Sequence, residues 1–169
     1  MNIMWALTLI VAILSPFISI TQTRTYTAAN VNYVLVLPSP QWRTVDVPGV
    51  ANDTTEFRYE DHGVVHLRIR REFVDADATA TDLIQRQQIL DRSALPGYVK
   101  EKVEPVAGRL HGARYAYEYV ADGKSTARVI YYLEANKRVI YRLEFAGPPE
   151  LLRNLSHQTE SIARSFSLK

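Results

Sequence analysis

The residue types that most often carry out chemistry are sparse in this chain and poorly spaced for it. The four histidines are His62, His66, His111 and His157. Along one continuous strand His62 and His66 stand roughly 13 Å apart, too far to share a metal ion unless a turn at Gly63 folds one back. No His-x-x-x-His pair falls on a helical stretch, and cysteine is absent. That absence removes thiolate ligands, a thiol nucleophile, disulfides and a lipid-modified cysteine. Glu60-Asp61-His62 gathers two carboxylates and an imidazole in one turn, but no nucleophile accompanies them. Phosphate-binding loop, Gly-x-Ser-x-Gly elbow and zinc-binding helix motifs are all missing. No catalytic residue, metal ligand or cofactor is therefore assigned.

Arginine is better placed. In the stretch Val64 to Phe73 the apolar Val65, Leu67 and Ile69 alternate with His66, Arg68 and Arg70. Arg114, Glu118, Arg128, Arg142 and Glu144 occupy the same polar phase in later strand-like stretches. Side chains alternate across a strand, so one sheet face is expected to collect Arg68, Arg70, Arg114, Arg128 and Arg142, offset locally by Glu118 and Glu144. Such a face is either solvated, with cross-strand pairing, or a docking surface for a protein or an anionic envelope component. The phase of the tyrosines is opposite. Tyr115, Tyr117 and Tyr119 are expected to share a face with Tyr131 and Tyr141, as core beneath a helix or as an aromatic ligand surface.

A net charge of +2 is too small to imply a nucleic-acid or membrane partner. The stretch His111 to Val120 also fails the aromatic frame of an RNA-recognition strand, because Gly112 is followed by Ala113 and Arg114.

The elements that must position these residues follow from pattern. With 169 residues, 47% apolar and 22% charged, the composition fits one globular domain rather than a disordered chain. Residues 24–31 read as a polar tether and 32–169 as the domain. Asn32 to Trp42 gives a strand stopped by Pro38 and Pro40, and Trp42 to Val47 a second. Glu56 to Asp61 and Val64 to Phe73 flank a turn at His62-Gly63. Thr79 and Asp82 stand in capping-box spacing, and Leu83, Ile84, Leu90 and Ala94 follow helical spacing until Pro96-Gly97. Strands resume at Tyr98. A last helix opens at Pro148-Pro149-Glu150, with Leu151, Leu152, Leu155 and Ile162 as its apolar stripe, and Ser165 to Leu168 can add a closing strand.

The tetrapeptide Arg-Val-Ile-Tyr occurs twice, at 128–131 and 138–141. A two-residue loop at Asn136-Lys137 would oppose Leu133 to Ile140 and mix the faces. A three-residue loop, Ala135-Asn136-Lys137, opposes Leu133 to Val139, Tyr131 to Tyr141, Glu134 to Arg138 and Arg128 to Glu144. The copies would then run in opposite directions, so the likeness reflects alternation and β-propensity, not a structural repeat.

Residues 1–23 carry no charged side chain, and Ile3 to Ile20 is broken only by Thr8, Ser15, Pro16 and Ser19. This reads as a signal peptide, a retained membrane anchor or a buried helix of the domain. Either of the first two implies a place outside the cytoplasm, with membrane contact only through this segment.

Tyr33, Leu35, Pro38 and Trp42, the mid-chain helix, Gly112 ahead of its strand, the run Tyr141 to Phe145 into Pro148, and the final helix ending at Ser165-Phe166 recur in one order. That order resembles the PsbP-like family over about Asn32 to Leu168. The resemblance implies an α+β fold, an α-β-α sandwich around a mostly antiparallel sheet, generally without enzymatic activity and often serving as an accessory or binding domain. The expected function is thus non-catalytic docking through the basic face. The alternative is a small exported hydrolase using carboxylate and histidine chemistry, which would require such groups to meet in a deep pocket.

Overall fold

The computed structural model describes residues 22–45, 54–59 and 65–169. The signal or anchor segment and the Glu60-Asp61-His62 cluster lie outside them. Strands β1 (Arg24–Tyr26), β2 (Tyr33–Leu37), β3 (Trp42–Val45), β4 (Thr54–Tyr59) and β5 (Val65–Phe73) precede helix α1 (Ala80–Ala94). Then come β6 (Val99–Lys100), β7 (Glu104–Ala107), β8 (His111–Ala121), β9 (Lys124–Asn136) and β10 (Val139–Gly147). Helices α2 (Pro149–Asn154) and α3 (Ser156–Ser165) and strand β11 (Ser167–Leu168) close the fold.

An eight-stranded sheet runs β3-β4-β5-β10-β9-β8-β6, with β7 also on β8, and a small sheet runs β1-β2-β11. Every pairing is antiparallel. This is the expected α+β sandwich. The stretch read as a tether contributes β1, which pairs Arg24 with Leu37.

One face of the large sheet packs Phe57, Leu67, Ile69, Val129, Tyr131, Leu133, Leu143 and Phe145 against the small sheet and against Leu152, Leu155 and Ile162 of the last helices. The single final helix expected from the sequence is two, broken at Leu155 (φ −90°, ψ 5°). The apolar stripe survives the break, because Leu152, Leu155 and Ile162 are all buried.

On the opposite face α1 packs over β8 and β9. The capping box forms as its spacing predicts: Thr79 Oγ1 accepts from Asp82 N at 3.2 Å, and Asp82 Oδ2 accepts from Thr79 N at 2.8 Å. Glu134 Oε1 accepts from Ala80 N at 2.8 Å, tying the helix start to β9. The stripe differs from expectation at two positions, since Ala94 is exposed as well as Leu90. Ala80, Ile84 and Asp91 are the buried residues, while Leu90 points to solvent.

Two hairpins decide which rows share a face. Asp122 and Gly123 (φ 50° and 72°) form the two-residue β8–β9 turn, closing the pair Ala121 with Lys124. Both positive φ values suit a tight hairpin, and an Asp-Gly pair supplies them at little strain. A two-residue loop pairs even positions with odd ones, so Arg114 opposes Tyr131 and Tyr117 opposes Arg128.

The β9–β10 hairpin corrects the three-residue loop. Asn136 pairs with Val139, Glu134 with Ile140 and Leu133 with Tyr141, leaving Ala135 as a bulge. The turn alone would set Leu133 against Arg142 and put apolar and charged rows on one face; the bulge restores the match. The faces are as expected, and the register is two residues further along. Asn136 Oδ1 caps Arg138 N at 2.9 Å, and Arg138 O accepts from Val74 N at 3.0 Å. Both bonds hold the tight turn.

Candidate functional site

The rows that alternate out of the core on β3, β4, β5 and β10 carry no covering element among the described residues. They hold Arg43 and Arg58, which are directly opposed, then Glu56 opposite Arg68, Arg70 opposite Arg142, and Glu144 opposite Arg68. Arg43, Arg58, Arg68 and Arg70 are exposed. Of the five arginines expected to cluster, four do: Arg68, Arg70, Arg128 and Arg142 stand on the adjacent strands β5, β10 and β9.

Arg114 does not join them. The even-to-odd register of the Asp122-Gly123 turn turns it to the opposite face, where its guanidinium meets Glu101 at 3.4 Å and Glu104 at 3.3 Å. Glu118 goes with it, and Arg153 lies 3.8 Å from it. The tyrosines divide for the same reason. Tyr115, Tyr117 and Tyr119 pack under α1 with Tyr132 and Ile130, while Tyr131 and Tyr141 belong to the core on the other side.

Within the open face the charges are graded by burial. Glu144 lies between Arg142 (2.7 Å) and Arg128 (3.4 Å), and Glu72 lies 3.8 Å from Arg142. Arg128 also donates to Tyr117 Oη at 3.3 Å and sits over the Tyr119 ring, while Arg142 sits over Tyr132. These two arginines are therefore structural groups at the margin of the tyrosine layer. Burial pushes the Tyr117 and Tyr132 hydroxyls above their ordinary range, against the lowering effect of Arg128 and Arg142 respectively.

Further out, Glu56 accepts from Arg68 at 3.3 Å and lies 3.2 Å from His66 Nδ1. Burial works to raise the Glu56 carboxyl, but the bonds from His66 and Arg68 outweigh it and hold the group below the usual range. Arg70 carries no such bond among the described residues. The outer rows thus present the guanidinium groups of Arg58, Arg68 and Arg70 to solvent, with Glu56 engaged by Arg68 and His66.

A second concavity, about 430 Å³, opens on the other face between α2, α3 and the β8–β9 end. Its buried lining includes Ala116, Ala127, Val129 and Leu152, with Tyr131 and Thr159 hydroxyls 3.4 Å apart. The small alanines leave the space that larger side chains would fill. Among its charged residues Arg114 pairs with Glu101 and Glu104, Arg153 with Glu118, and Arg164 with Glu160 one turn back along α3. No histidine lines it. Among the described residues no group of three or more His, Asp or Glu is arranged to hold a metal ion, and no helix is long and apolar enough to cross a membrane.

No family model matches the sequence, and no curated protein matches it either. Solved structures do. Cyanobacterial PsbP from Synechocystis superposes with a TM-score of 0.56 at 18% identity, over 92% of this chain and 97% of that one. LpqN, involved in cell envelope biogenesis of Mycobacterium tuberculosis, gives 0.59 at 13% identity, over 88% and 91%. The Saccharomyces cerevisiae Ran-binding protein Mog1p gives 0.62 at 8% identity, over 88% and 96%. The chain has the PsbP-like fold.

Proposed function

We propose that this protein is a non-catalytic accessory domain outside the cytoplasm that docks an acidic partner through the open half of its large sheet. One observation carries the reading. Arg58, Arg68 and Arg70 stand exposed on the adjacent strands β4 and β5. Like charges gathered on a sheet repel one another, and the arrangement becomes favourable when an anionic surface lies over it. Arg68 and Arg70 are the leading binding residues, Arg128 and Arg142 support them from beneath, and Arg114 is no part of the face. The uncharged apolar run Ile3 to Ile20 supports export. A neighbour in cell envelope biogenesis and a neighbour that binds Ran support a binding role of this kind.

The test is capture from envelope extract at low and high salt, comparing wild type with Arg68→Ala/Arg70→Ala, with phosphatidylglycerol vesicles as a parallel arm. A protein partner retained by wild type, lost by the variant and weakened by salt supports acidic-protein docking. Vesicle binding with the same losses identifies an anionic envelope component. Equal recovery by both proteins in both arms overturns the reading.

A further inference from the structure

Helix α1 wears part of its apolar surface on the outside. Ile89 is 71% and Leu90 61% exposed, whereas Asp91 is 5% exposed. Asp91 faces inward and accepts from Gln87 Nε2 at 2.8 Å. Beside the C-terminal half of the helix runs the edge strand β6. Between helix and edge lies a groove of about 900 Å³, with Ile89, Leu95 and Tyr98 as its apolar groups and Gln88, Arg92 and Lys100 among its polar ones. No carboxylate lines it. Gly97 makes the groove possible. Its φ of +65° turns the chain from α1 into β6, and a Cβ there would stand 3.0 Å from Val120 Cγ2.

We propose that this groove binds an acidic peptide segment of a partner protein, anchored by a bulky apolar side chain. Exposed apolar surface rimmed by polar groups marks an interaction site. The concavity suits an inserted side chain better than a flat bilayer. Arg92 and Lys100, with no opposing carboxylate in the lining, supply charge complementarity to Asp or Glu flanking the anchor. The site is independent of the arginine face, since β8 and β9 separate β6 from β10 and β5 in the sheet.

The full chain is titrated into a dye-labelled amphipathic leucine–glutamate peptide, its leucine–lysine counterpart, and phosphatidylglycerol vesicles. The expected result is saturable binding of the leucine–glutamate peptide alone, weakened about tenfold or more by Ile89→Glu and by Arg92→Glu/Lys100→Glu. Ile89→Leu should retain it. These positions are exposed, so the variants keep the fold, which their melting curves check. Arg68→Ala/Arg70→Ala should leave peptide binding unchanged, whatever it does to docking on the sheet. The proposal is overturned by absent saturation, by unchanged affinity in both groove variants, or by equal binding of the lysine peptide. Loss in the Arg68→Ala/Arg70→Ala variant alone also overturns it, as does vesicle binding lost in the groove variants without peptide binding.

Discussion

Arg142 Nη2 lies 2.7 Å from Glu144 Oε2, two residues along the same strand and on the same face. The two side chains are only 14% and 15% exposed, and Glu144 simultaneously faces Arg128. One carboxylate thus neutralises two largely buried guanidinium groups.

Glu144→Gln leaves both arginines without that counter-charge. It should destabilise the fold by about 1–3 kcal/mol, since breaking a buried pair exposes the desolvation cost of the remaining charge. Chemical denaturation measures this. Exchanging the charges, Arg128→Glu with Glu144→Arg, should fail to restore stability, because the new arginine meets Arg142. A rescue in the double variant would show that Arg128 and Glu144 act as an isolated pair.

The pH response of Glu56 has a definite sign. Its folded-state pKa lies below the ordinary value of 4.5, so it adds stability above that value and loses it as pH falls through the folded-state pKa. Glu72 works the other way: burial raises it, against Arg142 and Arg70, so protonation on acidification relieves the folded state. Glu56→Gln should therefore narrow its stability gap to wild type as pH falls below 4.5. Unfolding curves across the acid range read this, and a gap that widens contradicts it.

Helix α1 should respond to truncation from its sheet side only. Ile84→Ala removes a side chain with no solvent exposure and should cost about 2–4 kcal/mol. Ile89→Ala and Leu90→Ala should each stay within about 0.5 kcal/mol of wild type. Comparable losses at all three positions would place the outer apolar residues in a packed environment.

Gly112 admits no side chain. A Cβ there would stand 1.9 Å from the carbonyl oxygen of Tyr132 across the β8–β9 ladder. Gly112→Ala should open that end of the pairing and cost at least about 2 kcal/mol. Amide exchange should report it first near Ala113 and Leu133.

Much of this architecture is legible in local pattern. Alternation of Val65, Leu67 and Ile69 with His66, Arg68 and Arg70 settles which side chains of β5 go to the core, because successive residues of a strand point to opposite faces. The Thr79 and Asp82 pair announces the start of α1, because only the first helical turn has free N–H groups for them to bind. Pro149 and the spacing of Leu152, Leu155 and Ile162 likewise announce the closing helices. What alternation leaves open is which rows of neighbouring strands lie together, since a shift of one residue sends a whole row to the other face. That was decided at two hairpins. The Asp122-Gly123 turn sends Arg114 and Glu118 away from the other arginines, and its Asp-Gly signal stands in the sequence for a register argument to use. The bulge at Ala135 has no such local mark. It exists because Leu133 and Tyr141 must enter one core, while Glu134 binds the start of α1. The graded burial of the arginine face came from tertiary packing too: α1 packs over β8 and β9, Arg128 and Arg142 lie in ion pairs at the margin of the tyrosine layer beneath it, and Arg68 and Arg70 stay exposed.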